Sequence, residues 1–189
     1  MSEKSKLYDG LRPWKRLDSR EIYTNKWMRV QIDRVALPDG REYDYTLIHR
    51  FTDGVAALVF DDQNRVLMER EYRYPVQEVI WQLPGGLVDG DEELLPAMQR
   101  ELAEETGYVA ERWEYLGAFW DNPAMTAMKI HLFRAWDAHS SASTRFDEAE
   151  FVAVEWRSWE WVKEAVRSGE IKERVLLSAL GMLMARGRC

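Results

Sequence analysis

Apolar and polar residues alternate along residues 20–36 and again along 41–51, with Leu37-Pro38-Asp39-Gly40 between the two runs. A period of two marks a half-buried strand, and Asp-Gly between two such runs signals a hairpin. Residues 54–60 (Gly-Val-Ala-Ala-Leu-Val-Phe) are almost wholly apolar and predict a buried strand. Asp61-Asp62-Gln63-Asn64 reads as a turn into a partner strand over 65–72. A short strand at 80–83 runs into Leu83-Pro84-Gly85-Gly86, which cannot be helical. Beyond that loop Leu94, Leu95, Met98 and Leu102 recur at steps of one, three and four, the signature of a helix with one face on a core. Gly107 supplies its stop. Further strands are predicted over 113–120, 128–136 and 151–157, and helices over 158–167 and 171–186. This order fits a sheet covered by helices on two sides, with an N-terminal β subdomain over 1–51 ahead of a main domain over 52–189.

A length of 189 residues suits a chain with a substantial core. The net charge of −7 argues against a general nucleic-acid binder, which needs basic surface to displace counterions. It does not oppose a nucleotide as substrate, because a bound cation would supply local positive charge. The one cysteine, Cys189, allows no intrachain disulfide and is compatible with a reducing cytoplasm. The chain starts Met1-Ser2-Glu3-Lys4 without the apolar stretch of a leader, and no apolar run reaches the ~18 residues that a membrane span requires. A cytoplasmic protein with no membrane partner is expected.

The chemistry is concentrated between Gly86 and Tyr108, GLVDGDEELLPAMQRELAEETGY. Residues three and four apart share a helix face, so Glu101, Glu104 and Glu105 are neighbours, joined by Arg100 and approached by Glu92. Glu101 and Glu105 are a like-charged i, i+4 pair, which costs an isolated helix roughly 0.2–0.5 kcal/mol. The ordinary explanation is a solvated acidic face. The alternative is a hard divalent cation such as Mg²⁺, which takes oxygen ligands, keeps several waters and binds through carboxylates together with substrate phosphates.

The spacing Gly86, Glu92, Arg100-Glu101-Leu102, Glu104-Glu105, Gly107 resembles the Nudix box at every position. At roughly 5–10% average usage per residue type, chance agreement at a given start is on the order of 10⁻⁸. The resemblance implies an α/β fold, a Nudix α/β/α sandwich with a mixed sheet, and hydrolysis of a nucleoside diphosphate linked to another group. It implies that Glu101, Glu104 and Glu105 hold Mg²⁺ (or Mn²⁺), with the Gly85 carbonyl as a further ligand. Arg100 would orient the glutamates, Gly86 would permit the bend before the helix, and Glu92 would brace the loop. A cation there would neutralise the diphosphate and activate water, and a carboxylate would take the proton.

Several features outside the box resemble the ADP-ribose and nucleotide-sugar pyrophosphatase branch. Pro123 lies fifteen residues past Tyr108, and Arg73 sits on the strand before the box. Ser168-Gly169-Glu170-Ile171 leads into an amphipathic stretch through Leu183. Phe146-Asp147-Glu148-Ala149-Glu150 resembles that branch's acidic loop, which implies Glu148 as general base and Glu150 as a metal ligand. Arg73, Arg50, Pro123 and Trp27 are the expected substrate contacts, Trp27 as an aromatic face for the nucleobase. The alternative for Trp27 is core or dimer packing. Trp81-Gln82-Leu83-Pro84-Gly85-Gly86 departs from the branch, which more often carries a glutamate and an alanine there. The Asn122-Pro123-Ala124-Met125-Thr126 loop departs from its usual Pro-Gly turn. A broad nucleotide-sugar pyrophosphatase fits these departures better than strict ADP-ribose preference. The resemblance further implies a homodimer built through the N-terminal strands. The rival readings are a GDP-mannose or dinucleotide pyrophosphatase and, from another class, a non-catalytic ADP-ribose-binding module. His131, on an alternating strand, is expected to be packed or exposed rather than ligating.

Overall fold

The computed structural model describes residues 11–141 and 151–187. The elements in chain order are β1 (Lys15–Thr24), β2 (Met28–Ala36), β3 (Glu42–Arg50), β4 (Gly54–Val59), β5 (Arg65–Arg73), β6 (Glu78–Gln82), α1 (Leu94–Thr106), β7 (Tyr108–Val109), β8 (Arg112–Trp120), β9 (Lys129–Trp136), β10 (His139–Ser140), β11 (Val152–Ser158), α2 (Trp159–Arg167) and α3 (Arg174–Ala185). The described residues form two compact units. One takes those up to Phe51 together with Asp121–Met128, and the other takes Thr52–Trp120 and those from Lys129 on.

The first unit is an antiparallel sheet in the order β1-β2-β3. The Asp-Gly hairpin forms as the sequence predicts, with Leu37 N–H donating to the Arg41 carbonyl at 2.8 Å and Gly40 at φ +88°. The run over 20–36 is not one strand. It holds the end of β1, a turn and β2. The turn is made by Asn25, whose side-chain oxygen accepts the Trp27 and Met28 N–H groups at 2.8 and 2.9 Å. An asparagine bonding the backbone two residues on offers the chain a turn in place of the ladder. The 121–128 segment adds to this unit through Ile48 N–H to the Met125 carbonyl, 2.8 Å, and the Tyr45 hydroxyl to the Ala124 carbonyl, 2.5 Å.

The second unit is built around β4, in which every residue is buried. It pairs in parallel with β9, which pairs antiparallel with β8, giving the expected mixed sheet. An antiparallel set β11-β5-β6 joins through the Phe60–Val66 bridge. Ala97, Met98 and Leu102 on α1 pack with Val55, Ala57, Val59, Leu67, Phe133 and Ala135 into a core. Burial at ~25 cal/mol per Å² of apolar surface is what fixes the helix here, since Glu93 at its N-terminus makes no side-chain cap, while Gly107, at φ +70°, closes its C-terminus. Leu95 does not join that core. It is 36% exposed and lines an open groove with Trp113, Tyr115 and Phe133. Ser158 caps α2 by accepting the Trp161 N–H, and Glu173 caps α3, so the last helix starts three residues later than its apolar pattern suggests. Among the described residues no helix is long and apolar enough to cross a membrane.

Candidate functional site

The loop leaving β6 is threaded tightly beside β4. The Ala57 and Val55 N–H groups donate to the carbonyls of Pro84 (3.1 Å) and Gly86 (2.9 Å). A side chain at position 85 would collide with the Val55 carbonyl and stand 2.7 Å from the Ala56 Cα. A Cβ at position 86 would lie 2.5 Å from the Glu101 carboxylate. Two glycines therefore let a strand, a loop and a charged helix face meet at van der Waals distance.

The helix brings its carboxylates to that loop. Glu105, 7% exposed, accepts the Gly85 N–H at 2.9 Å. Arg100 Nη1 donates to Glu101 Oε1 at 2.8 Å and to Glu104 Oε2 at 3.2 Å. Arg100 Nη2 donates to Glu92 Oε2 at 3.0 Å and to the Leu87 carbonyl at 3.1 Å. One planar guanidinium thus ties the helix to the loop ahead of it, as a fork of donors can and an ammonium cannot. Burial opposes the Arg100 cation, but the surrounding carboxylates outweigh it and hold its pKa above the ordinary value. The reverse holds for Glu92, whose carboxyl is pulled below its usual range by the hydrogen bonds from Arg100.

Among the described residues no three acidic, histidine or cysteine side chains close a metal shell by themselves. The donor set still suits Mg²⁺. Hard carboxylate oxygens stand beside a glycine loop, and this ion is usually held by one or two carboxylates, with water and phosphate completing the octahedron. The Gly85 carbonyl accepts no hydrogen bond among the described residues, while its neighbours at 84 and 86 both do.

The box residues Glu92, Arg100, Glu101, Glu104, Glu105, Gly85, Gly86 and Gly107 are therefore gathered as one cluster, with Gly107 closing the helix. Arg73 belongs to the same unit and hydrogen-bonds Gln82. Trp27, Arg50 and Pro123 belong to the first unit and are exposed. Lys26 Nζ lies 4.3 Å over the Trp27 ring. Glu148 and Glu150 lie outside the described residues.

Residues 50–177 match the NUDIX domain, and residues 14–48 match the nucleoside diphosphate sugar hydrolase N-terminal domain. The chain belongs to the Nudix hydrolase family. This Nudix chain is 30% identical over 139 residues to the methanol dehydrogenase activator of Bacillus methanolicus, covering 73% of this chain and 75% of that one. It is 27% identical over 173 residues to the ADP-ribose pyrophosphatase of Bacillus subtilis (strain 168), covering 91% and 93%. Its fold is similar to that of a crystal structure of ADP compounds hydrolase, with a TM-score of 0.83 at 20% identity over 94% of this chain and 98% of the other.

Sequence reasoning misses two polar clusters of the Nudix unit. Gln82 stands out in the sequence only as a departure, yet it bonds Arg73 and Glu71. His131 is neither simply packed nor exposed. Its Nε2 is 3.1 Å from Asp53 Oδ2 and its Nδ1 is 2.8 Å from the Tyr115 hydroxyl. Asp53 and His131 are 78 residues apart, and only the parallel pairing of β4 with β9 joins them.

Proposed function

We propose that this chain hydrolyses the diphosphate bond of ADP-ribose or a related nucleoside diphosphate sugar in the presence of Mg²⁺, releasing a nucleoside monophosphate and a sugar phosphate. The observation that carries the reading is the Arg100 fork, which gathers Glu92, Glu101 and Glu104 beside the Gly85-Gly86 loop while Gly85 N–H holds Glu105. The ADP-ribose pyrophosphatases among its relatives, and the N-terminal match at residues 14–48, support a nucleotide-sugar substrate.

Glu101, Glu104 and Glu105, with the Gly85 carbonyl, would hold the cation. When bound, it would neutralise the diphosphate and make water a better nucleophile. Arg100 holds Glu101 and Glu104 by hydrogen bonds and Gly85 N–H holds Glu105, so the carboxylates stay close and little reorganisation is left for the reaction. Glu148 takes the proton of the attacking water and Glu150 is a further ligand. Arg73, Arg50, Pro123 and Trp27 hold the substrate, Trp27 by stacking on the base. A homodimer is supported by β1, which exposes every one of its ten residues, Leu17, Ile22 and Tyr23 among them. The cytoplasm is the setting we assign.

The test is a product assay with ADP-ribose, ADP-glucose, GDP-mannose and a dinucleotide, in Mg²⁺ and in excess EDTA. The expected result is cation-dependent release of a nucleoside monophosphate from ADP-ribose or another nucleotide sugar. Tight binding of ADP-ribose without turnover would favour the non-catalytic module instead.

A further inference from the structure

Glu69 faces Gln82 across β5 and β6, Glu71 faces Ile80, and Arg73 faces Glu78. Glu69, Glu71 and Arg73 therefore share one face of the sheet. Arg73 starts at the far end of β5, yet its head returns to Gln82, its Nη2 and Nε donating to Gln82 Oε1 at 2.8 and 3.1 Å. The Gln82 amide nitrogen donates to Glu71 Oε2 at 2.9 Å and to Glu69 Oε2 at 3.3 Å. Arg73 also pairs with Glu71 at 2.9 Å. Gln82 is 6% exposed and Glu69 is fully buried, whereas the Arg73 side chain is 46% exposed. The arrangement is a buried polar base carrying an accessible guanidinium. Three residues after Gln82 comes Gly85, which holds Glu105.

The amide has one allowed orientation. Reversed, it would set NH₂ against a guanidinium and oxygen against two carboxylates, donors facing donors and acceptors facing acceptors. A glutamate at this position would meet Arg73 equally well but would put a third carboxylate against Glu69 and Glu71. Like charges at that spacing disfavour ionisation. Gln82 thus joins a cation and two anions without adding charge.

We infer that Gln82 is a positioning residue, an amide clamp that fixes the Arg73 guanidinium to receive the substrate diphosphate. The inference rests on the proposed nucleotide-sugar hydrolysis and on Arg73 as its substrate contact.

The experiment is a kinetic comparison of wild type, Gln82→Glu, Arg73→Ala, Arg73→Ala/Gln82→Glu and Glu71→Gln/Gln82→Glu, with ADP-ribose and Mg²⁺ from pH 6 to 9, each variant checked by thermal unfolding. Gln82→Glu is expected to raise KM about tenfold or more at pH 8 with a smaller change in kcat, since misplacing a substrate-holding group is costly. Its kcat/KM relative to wild type should recover toward pH 6, where the introduced carboxyl, once protonated, regains a donor for Glu71. Arg73→Ala should remove the effect, so that adding Gln82→Glu changes KM less than about twofold. Glu71→Gln/Gln82→Glu exchanges amide and carboxylate, and should restore KM to within about threefold of wild type. Equal losses with and without Arg73, a loss confined to kcat, or no rescue by the exchange would overturn the clamp. A folding defect shared by every Gln82 variant, the exchange included, would count as no rescue. Arg73→Ala with wild-type KM would remove Arg73 as the contact, and the clamp with it. A wild-type chain that cleaves no nucleotide sugar would overturn the functional reading first, a result distinct from all of these.

Discussion

Gly86 and Glu101 meet with no room for a methyl group between them. A Cβ at position 86 would stand 2.5 Å from the Glu101 carboxylate carbon. The glycine's value here is the space it leaves, and that space is filled by a carboxylate held from the other side by Arg100 at 2.8 Å. Gly86→Ala must therefore push Glu101 off its arginine or push the loop off β4. Overpacking of this kind costs roughly 1–3 kcal/mol. A displaced ligand carboxylate costs more in rate than in stability. We expect a modest drop in melting temperature together with a loss of roughly 10²-fold in kcat/KM, read by calorimetry and steady-state kinetics. Wild-type activity in a fully folded variant would contradict the close contact.

Glu105→Gln and Glu104→Gln separate charge from shape. An amide at 105 still offers an oxygen to the Gly85 N–H, and one at 104 still offers one to Arg100. The fold should persist with a melting temperature within a few degrees of wild type. Turnover should fall by roughly 10²-fold or more, because a cation loses an anionic ligand. Titration calorimetry with Mg²⁺ or Mn²⁺ should show weaker binding in each variant. Full activity in both would contradict the metal assignment.

The box is legible in the sequence because its chemistry is local. Gly86 to Gly107 lie on one loop and one helix, where spacing in sequence is spacing in space. The buried strand over 54–60 is legible for a similar reason, since a run this apolar has few other fates. The Asn25 turn is hidden because alternation continues on both sides of it, and a side chain that competes with the ladder leaves no mark on the hydrophobic pattern. Leu95 fits the helical period as well as Met98 does, and only the open groove beside β8 keeps it at the surface. Gln82 and His131 depend on partners supplied by other strands. Which strands those are is decided by pairing, and no periodicity encodes it.

Glu148→Gln tests the general base. An amide cannot accept a proton at neutral pH, so turnover should slow by roughly 10²–10⁴-fold while KM for ADP-ribose changes little. The wild-type acid limb of the pH–rate profile should flatten in the variant. An unchanged rate would transfer the role to Glu150 or to a glutamate of the box, which Glu150→Gln would then separate.

The Arg100–Glu92 tie makes a prediction about acid stability whose sign is fixed. Hydrogen bonds from Arg100 lower the Glu92 pKa in the fold from its ordinary 4.5. Between the lowered native value and 4.5 the unfolded chain therefore binds more protons than the native one, and stability rises with pH across that window. The contribution is complete above the unfolded pKa and is lost as pH falls through the folded one. Glu92→Gln lacks this titration. At pH 7 it should melt below wild type by about 2–4 °C, the shift that about 1 kcal/mol produces in a chain of this size. As pH drops from 6 toward 3 the gap should narrow, because only wild type has a charged Glu92 beside Arg100 to lose. Melting curves of the two proteins across that range decide it. A gap that stays constant or widens toward acid would mean that the Glu92 carboxylate is not stabilised in the fold by Arg100.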